Sequence, residues 1–105
     1  MTDKELLELA AKAANVAGIN GVYPIARDSS GEVYYWNPLT DDGDALRLAV
    51  KLRLEFEWWK NGVSVGRDDM PPSLIEHVVD DPAAATRRAI VRAAAEIGKT
   101  VKEEA

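Results

Sequence analysis

The sequence predicts a small α+β domain, with helices packed on a mostly antiparallel sheet and elements in the order α-β-β-α-β-β-β-α. Three observations support this prediction. Three segments carry apolar residues at helical spacing, two pairs of strand-like runs flank turn signals, and one pair is joined by Asn61-Gly62, the strongest short hairpin signal. At 105 residues the chain is large enough for its own hydrophobic core, so we expect residues 1–105 to form one domain.

The first helix is expected to begin at Thr2. Thr2 and Glu5 have the spacing of a capping box, in which each side chain accepts a hydrogen bond from the other residue's backbone N–H. Gly18 is placed to end the helix in a left-handed conformation. The apolar face between them is rich in alanine, which predicts a close approach to a neighbouring backbone: Leu6, Leu7, Ala10, Ala13, Ala14 and Ala17.

A first β-hairpin is predicted over residues 22–36. The runs 22–27 and 32–36 are rich in Val, Ile, Tyr and Trp, and residues 28–31 between them, with the sequence DSSG, have turn chemistry. Pro24 has no N–H for a strand ladder, so the first of these strands is expected at a sheet edge or with a bulge.

Residues 41–52 are predicted to form the central packing helix. Pro38 biases the residue before it away from helical angles and Thr40 can cap the helix, so we expect a start near Asp41. Its charged residues agree with the helix dipole, with carboxylates in the first turn and cations near the end: Asp41, Asp42, Asp44, Lys51 and Arg53. Apolar residues cover most of its circumference, which predicts burial on more than one side: Ala45, Leu46, Leu48, Ala49, Val50 and Leu52.

A second hairpin is predicted over residues 54–67. Leu54, Phe56 and Trp58 alternate with two glutamates, a period of two that is typical of a strand with one apolar face. A two-residue turn at Asn61-Gly62 would place Lys60 opposite Val63, and Trp58 opposite Val65. Trp59 shares the face of Glu55 and Glu57, so we expect it to be partly exposed and take it as a candidate contact residue.

The last third of the chain is predicted to hold a short strand and a long helix. Residues 73–79 fit either structure, and their composition favours a strand. Asp81-Pro82 is typical of an N-cap followed by proline at the first helical position. The buried stripe of this helix is expected at Ile90, Ala94, Ile97 and Val101. Gly98 ends or weakens the helix, so residues 99–105 are expected to fray.

The charge of the chain excludes some partners. Its formal net charge of −5 argues against direct binding to nucleic acid or to an anionic membrane, because phosphate recognition needs clustered positive charge. It contains no cysteine, which removes disulfides and thiolate metal sites. No apolar run is long enough to span a bilayer and the N-terminus is unlike a secretory signal, so we expect a cytoplasmic protein.

No catalytic, cofactor-binding or metal-binding residue is predicted. The sequence DDGD at 41–44 lacks the alternating carboxylates and the downstream glutamate of a calcium loop, so helix capping is the better interpretation. His77 is the only histidine, and no local spacing supplies partners for a zinc or general-base site. Asp68-Asp69 and Asp80-Asp81 are interpreted as loop and cap residues.

Arg87 and Arg88 fall in the opening turns of the last helix, where the helix dipole disfavours cations. Two explanations remain open. In the first, nearby aspartates compensate the two cations, and these are either Asp80 and Asp81 or the aspartates that begin the central helix. In the second, the two arginines contact a bound anion. The acidic loops, including Asp68 and Asp69, could likewise form a surface for a basic partner or imitate the phosphates of nucleic acid.

Three blocks of the sequence carry a family resemblance: residues 5–14 (ELLELAAKAA), 36–52 (WNPLTDDGDALRLAVKL) and 85–98 (ATRRAIVRAAAEIG). They are similar to small bacteriophage proteins of the phage ABA-sandwich domain family, and they cover the three helices, a little under half of the chain. The resemblance implies a phage or prophage origin and an α/β/α sandwich. It supplies no catalytic residues.

Three functional hypotheses follow. The first is a phage accessory protein in the host cytoplasm that binds another protein, a host, defence or phage component, through an acidic surface and exposed aromatic residues, with Trp59, Asp68 and Asp69 as candidate contacts. The second is a small enzyme or ligand-binding domain with a pocket at Arg87, Arg88 and His77. The third is a structural protein that self-associates as a homo-oligomer.

Overall fold

The computed structural model describes residues 2–16, 25–27, 30–68, 74–77 and 81–101. The expected α+β class and the expected order of elements are confirmed. The helices are α1 (Asp3–Ala14), α2 (Asp42–Leu52) and α3 (Pro82–Thr100). The strands are β1 (Ile25–Arg27), β2 (Val33–Tyr35), β3 (Glu55–Trp59), β4 (Gly62–Gly66) and β5 (Leu74–His77).

Helix α1 begins as predicted and ends earlier than predicted. Thr2 Oγ1 accepts the Glu5 N–H at 3.2 Å, and Glu5 Oε1 accepts the Thr2 N–H at 3.3 Å, so the capping box is present. The helix ends at Ala14 because Asn15 takes a left-handed conformation, with φ of 56°. Asparagine tolerates this conformation better than most residues, which makes it an effective substitute for glycine. Ala17 and Gly18, the expected end, lie outside the described residues.

Helix α3 occupies the centre of the molecule, which we expected of α2. It contacts α1, α2 and the strands β4 and β5, so that it lies between the sheet and the other two helices. Asp81 caps it through a hydrogen bond from the Ala84 N–H to Asp81 Oδ1 at 3.0 Å, with Pro82 at the first position, as predicted. Its buried residues are small and lie on several sides of the helix: Ala89, Ile90, Val91, Ala93, Ala94, Ala95 and Gly98.

Gly98 neither ends nor frays α3, which continues to Thr100. A Cβ atom at Gly98 would lie 1.9 Å from the Leu9 carbonyl oxygen, so α1 and α3 approach here closer than any side chain allows. The alanine face of α1 therefore packs as predicted, with Leu6, Leu7, Ala10 and Ala14 buried. The expected fraying is wrong for residues 99 and 100, and residues 102–105 lie outside the described part of the chain. Val101, expected in the buried stripe, is exposed at the C-cap.

Helix α2 packs against α3 with one face only. Ala45, Leu48, Ala49 and Leu52 are buried, but the side chains of Leu46 and Val50 are 61% and 68% exposed. The prediction of burial on more than one side is therefore wrong, because no described element covers the outer face of α2. The N-cap also differs from the expected one. It is Asp41 and not Thr40, since Asp41 Oδ2 accepts the Asp44 N–H at 2.8 Å.

The strands form two antiparallel sheets, β1-β2 and β3-β4-β5. Both predicted hairpins are present, and the strand interpretation of residues 73–79 is confirmed for Leu74–His77. The register of the second hairpin differs from the prediction, since Trp58 pairs with Val63 and Phe56 with Val65. A shift of two residues leaves every side chain on its own face, so the alternating pattern alone does not distinguish the two registers. Pro24 lies outside the described residues.

Candidate binding groove

Strand β3 extends beyond the part of the sheet that α3 covers. Val63 and Val65 of the central strand β4 are fully buried, while their partners across the ladder, Trp58 and Phe56, are exposed. All four side chains point to the same face, because directly opposite residues of an antiparallel pair share a face. The predicted alternation is therefore confirmed for Phe56 and Trp58, which share one face of β3, but this apolar face stays exposed at both residues while Leu54 is buried.

The uncovered side chains of β3 form one wall of an apolar groove of about 540 Å³. The groove is also lined by the first half of α2, with Ala45 and Leu46, and by α3, with Ile90. The rings of Phe56 and Trp58 are nearly parallel, 10° apart, with centroids separated by 6.2 Å. Stacking of this kind favours one relative orientation of the two rings, so they present a continuous aromatic surface to the groove.

Arg87 lines the groove as well. Its Nη1 donates to Asp42 Oδ1 at 2.6 Å and its Nε donates to the Leu39 carbonyl at 2.9 Å. These two bonds fix the start of α2 against the start of α3. One of the two explanations for Arg87 thus has direct support, since a carboxylate that begins the central helix lies against its guanidinium.

Arg88 has a different partner and does not line the groove. Its Nη2 donates to Asp3 Oδ1 at 3.1 Å, which links α3 to the first turn of α1, a contact that the sequence analysis did not anticipate. The side chain of His77 lies outside the described part of the structure. Arg87 and Arg88 thus contact different helices, while the proximity of His77 to them and the anion contact of the two arginines stay predictions.

The carboxylates at the start of α2 are occupied by structural hydrogen bonds. Asp41 is the N-cap, and the buried Asp44 accepts the Asn37 N–H and an N–H of Arg47. The hydrogen bond with Asp44 raises the pKa of Arg47 above its usual value. No group of three His, Cys, Asp or Glu residues able to hold a metal ion occurs among the residues that the structure describes. The capping interpretation of the sequence DDGD therefore accounts for these residues.

The predicted contact residues lie on the opposite face of β3. Trp59 is 47% exposed and shares this face with Glu55 and Glu57. A depression of about 330 Å³ lies along it, and its lining includes both glutamates, Asp68 and one cation, Arg67. Asp69 lies outside the described residues. Sequence reasoning missed Phe56, Trp58 and Leu46 because apolar periodicity assigns such residues to the core. β3 is the first strand of a hairpin, and such a strand often lies at the edge of its sheet. This is the one sequence signal for the exposure of its side chains.

Comparisons with known proteins find no matching family model, no similar curated protein and no similar solved structure. None of the described helices is both long and apolar enough to cross a membrane.

Proposed function

We propose that this protein acts by binding another protein, and that the groove between α2, β3 and α3 is its contact surface. The observation that carries the proposal is the exposure of two stacked aromatic rings inside an apolar groove. Aromatic residues are enriched in protein interfaces and dominate their energetics, whereas charged residues are depleted at the centre. Burial of the exposed part of Trp58 alone would contribute about 2–3 kcal/mol.

The nature of the partner follows from the resemblance of the three sequence blocks to phage ABA-sandwich domain proteins. That resemblance supports a phage or prophage origin, and we extend the proposal accordingly to a host, defence or phage protein met in the cytoplasm of the infected cell. The acidic surface supports a partner with basic residues, because oppositely charged surfaces raise the rate of encounter. Binding alone accounts for this function, with no catalytic step.

The ligand-binding alternative has less support from the geometry. Arg87 already donates to Asp42 and Arg88 to Asp3, so each guanidinium already has a carboxylate partner within the protein. The groove wall that remains is almost entirely apolar, which suits a protein side chain better than a charged metabolite.

Two matched pairs of variants test the proposal. Leu46 and Val50 lie on the outer face of the same helix, one turn apart and similarly exposed, but only Leu46 lines the groove. Trp58 and Tyr35 are exposed aromatic residues of different hairpins, and only Trp58 lines the groove. The experiment is affinity purification of the tagged protein from cells of the host, with mass spectrometry, for the wild type and for Leu46→Gln, Val50→Gln, Trp58→Thr and Tyr35→Thr.

We expect the wild type to recover a partner at a stoichiometric level, and expect Leu46→Gln and Trp58→Thr to reduce its recovery at least about tenfold. Val50→Gln and Tyr35→Thr should retain it. Circular dichroism should show all four variants folded, because each changed side chain is largely exposed. Recovery of no specific partner by the wild type, or equal recovery by Leu46→Gln, would contradict the proposal.

A further inference from the structure

Strand β3 has a free backbone edge as well as an exposed aromatic face. It is the outer strand of the sheet β3-β4-β5, and all five of its residues are exposed. Among the described residues it pairs with β4 alone. In an antiparallel ladder every second residue points its N–H and C=O groups away from the neighbouring strand. The outer side of β3 therefore offers a row of donors and acceptors that no described strand pairs with.

The two faces beside this edge differ in chemistry. On one face Phe56 and Trp58 border the apolar groove. On the other face Glu55 and Glu57 border a depression that is also lined by Asp68 and Arg67, so carboxylates outnumber cations there. A strand added to the edge of β3 would alternate its own side chains between these faces, because successive residues of a strand point to opposite sides.

We propose that the partner binds as an extended segment that pairs with the outer edge of β3, with apolar side chains entering the groove and lysine or arginine side chains lying against Glu55 and Glu57. This inference rests on the proposed function and specifies its partner. Main-chain hydrogen bonds supply affinity in such strand addition, and alternate side chains supply specificity. The partner segment therefore alternates apolar and basic residues over about five positions.

A second copy of this chain fits the edge less well. When β3 pairs antiparallel with its own copy over all five residues, Glu57 lies opposite Glu57. Like charges directly opposite each other in a ladder are destabilising, and a net charge of −5 on each copy adds to the repulsion. A basic segment is attracted both by Glu57 and by the net negative charge of the protein, so charge complementarity favours a different, basic partner.

Synthetic peptides test the inference directly. The probe is an acetylated and amidated eight-residue peptide of alternating valine and lysine, and its control alternates valine and glutamate. Two further Val/Lys peptides each carry N-methyl groups on alternate backbone amides. In the first peptide the methyl groups lie along one edge of the strand, and in the second they lie along the other edge. Binding is followed by ¹⁵N–¹H NMR titration of the wild-type protein, of Glu57→Lys and of Glu8→Lys, which makes the same charge change on the exposed surface of α1.

We expect the Val/Lys peptide to shift the amide signals of residues 55–59 and the Val/Glu peptide to bind at least about fivefold more weakly. Methylation along one edge should weaken binding at least about tenfold, while methylation along the other edge should be tolerated. Glu57→Lys should reduce the preference for the Val/Lys peptide, and Glu8→Lys should leave it unchanged.

Three results would overturn the inference: no shift at β3, equal binding of both edge-methylated peptides, or light scattering that shows a dimer disrupted by Trp58→Thr. The first two results leave the proposed function intact, which fails separately if the affinity purification recovers no partner that depends on Leu46 and Trp58. The third result would contradict the proposed function as well, because a second copy would then occupy the groove. A partner that is lost with Leu46→Gln, together with peptides that do not bind β3, would retain the groove as a contact surface and exclude strand addition.

Discussion

Asp44 Oδ2 accepts the backbone N–H of Asn37 at 3.0 Å, and this bond joins the end of the first hairpin to the first turn of α2. The other oxygen, Oδ1, accepts from Arg47 Nη2 at 2.8 Å. The carboxylate of Asp44 is almost fully buried, while the guanidinium beside it is mostly exposed. The Asp44 side chain thus accepts one hydrogen bond from the loop before α2 and one from α2 itself. It lies at the junction that positions the part of the groove formed by α2.

Replacement of Asp44 by alanine should therefore lower the free energy of unfolding by about 1–3 kcal/mol, because the Asn37 N–H loses its acceptor in a partly buried place. The measurement is urea unfolding followed by tryptophan fluorescence. Asp68→Ala is the control, since Asp68 is an exposed aspartate, and we expect a change within about 0.5 kcal/mol. An Asp44→Ala variant as stable as Asp68→Ala would show that the bond to Asn37 contributes nothing to stability.

Gly98→Ala should be one of the most destabilising single-methyl additions in this chain, with a loss of about 3 kcal/mol, because the new Cβ would overlap the Leu9 carbonyl of α1. Gly43→Ala is the matched control in another helix. The atoms nearest to its Cβ would be side-chain atoms of Arg47 and Asp41 at 3.2 Å, which move more readily than backbone, and alanine favours helix over glycine. We therefore expect a change within about 1 kcal/mol of the wild type. Chemical denaturation of both variants measures the difference, and a Gly98→Ala protein of wild-type stability would refute the close approach of α1 and α3.

Arg87→Ala should cost about 1–2 kcal/mol of stability, mainly through the loss of its bond to the Leu39 carbonyl. The Asp42 side chain is 79% exposed, so the ion pair itself adds little. Arg88→Ala removes only an exposed pair with Asp3 and should cost less than about 0.5 kcal/mol. Thermal unfolding of the two variants side by side checks this order, and the reverse order would contradict it.

The capping box predicts part of the acid sensitivity. The Thr2 backbone N–H, and then its hydroxyl, donate to the Glu5 carboxylate and lower the pKa of Glu5 below its usual value. A carboxylate whose folded pKa is lowered contributes stability that is complete above the unfolded pKa and is lost as the pH falls through the folded pKa. Glu5→Gln should therefore show a smaller loss of stability between pH 7 and pH 3 than the wild type in urea titrations. Equal losses would remove Glu5 from the acid response.

The local elements could be predicted because their determinants are a few residues apart. The capping box at Thr2 and Glu5, the Asp81-Pro82 start of α3 and the strand at Leu74–His77 depend on neighbouring side chains and backbone groups, and all three are present. The end of α1 at Asn15 was missed because several residues can take a left-handed cap, and their relative cost depends on what the following chain packs against.

The binding groove could not be predicted in the same way. Its residues come from α2, β3 and α3, and each of its apolar side chains fits a core position when its own segment is considered alone. Only the offset of α3 over β4 and β5 leaves Phe56 and Trp58 uncovered. The same packing makes α3 the central helix, because Gly98 and a series of alanines let two helices and a sheet approach it closely.

By itself, the sequence determined which segments become helices and strands, their order, and the charges that each face carries, since these depend on side-chain period and on caps within one turn. The tertiary structure decided the register of β3 on β4 and which apolar faces meet. Both are settled by contacts between segments distant in the chain, where a shift of two residues or a small offset of one helix preserves every local preference but changes which side chains remain in water.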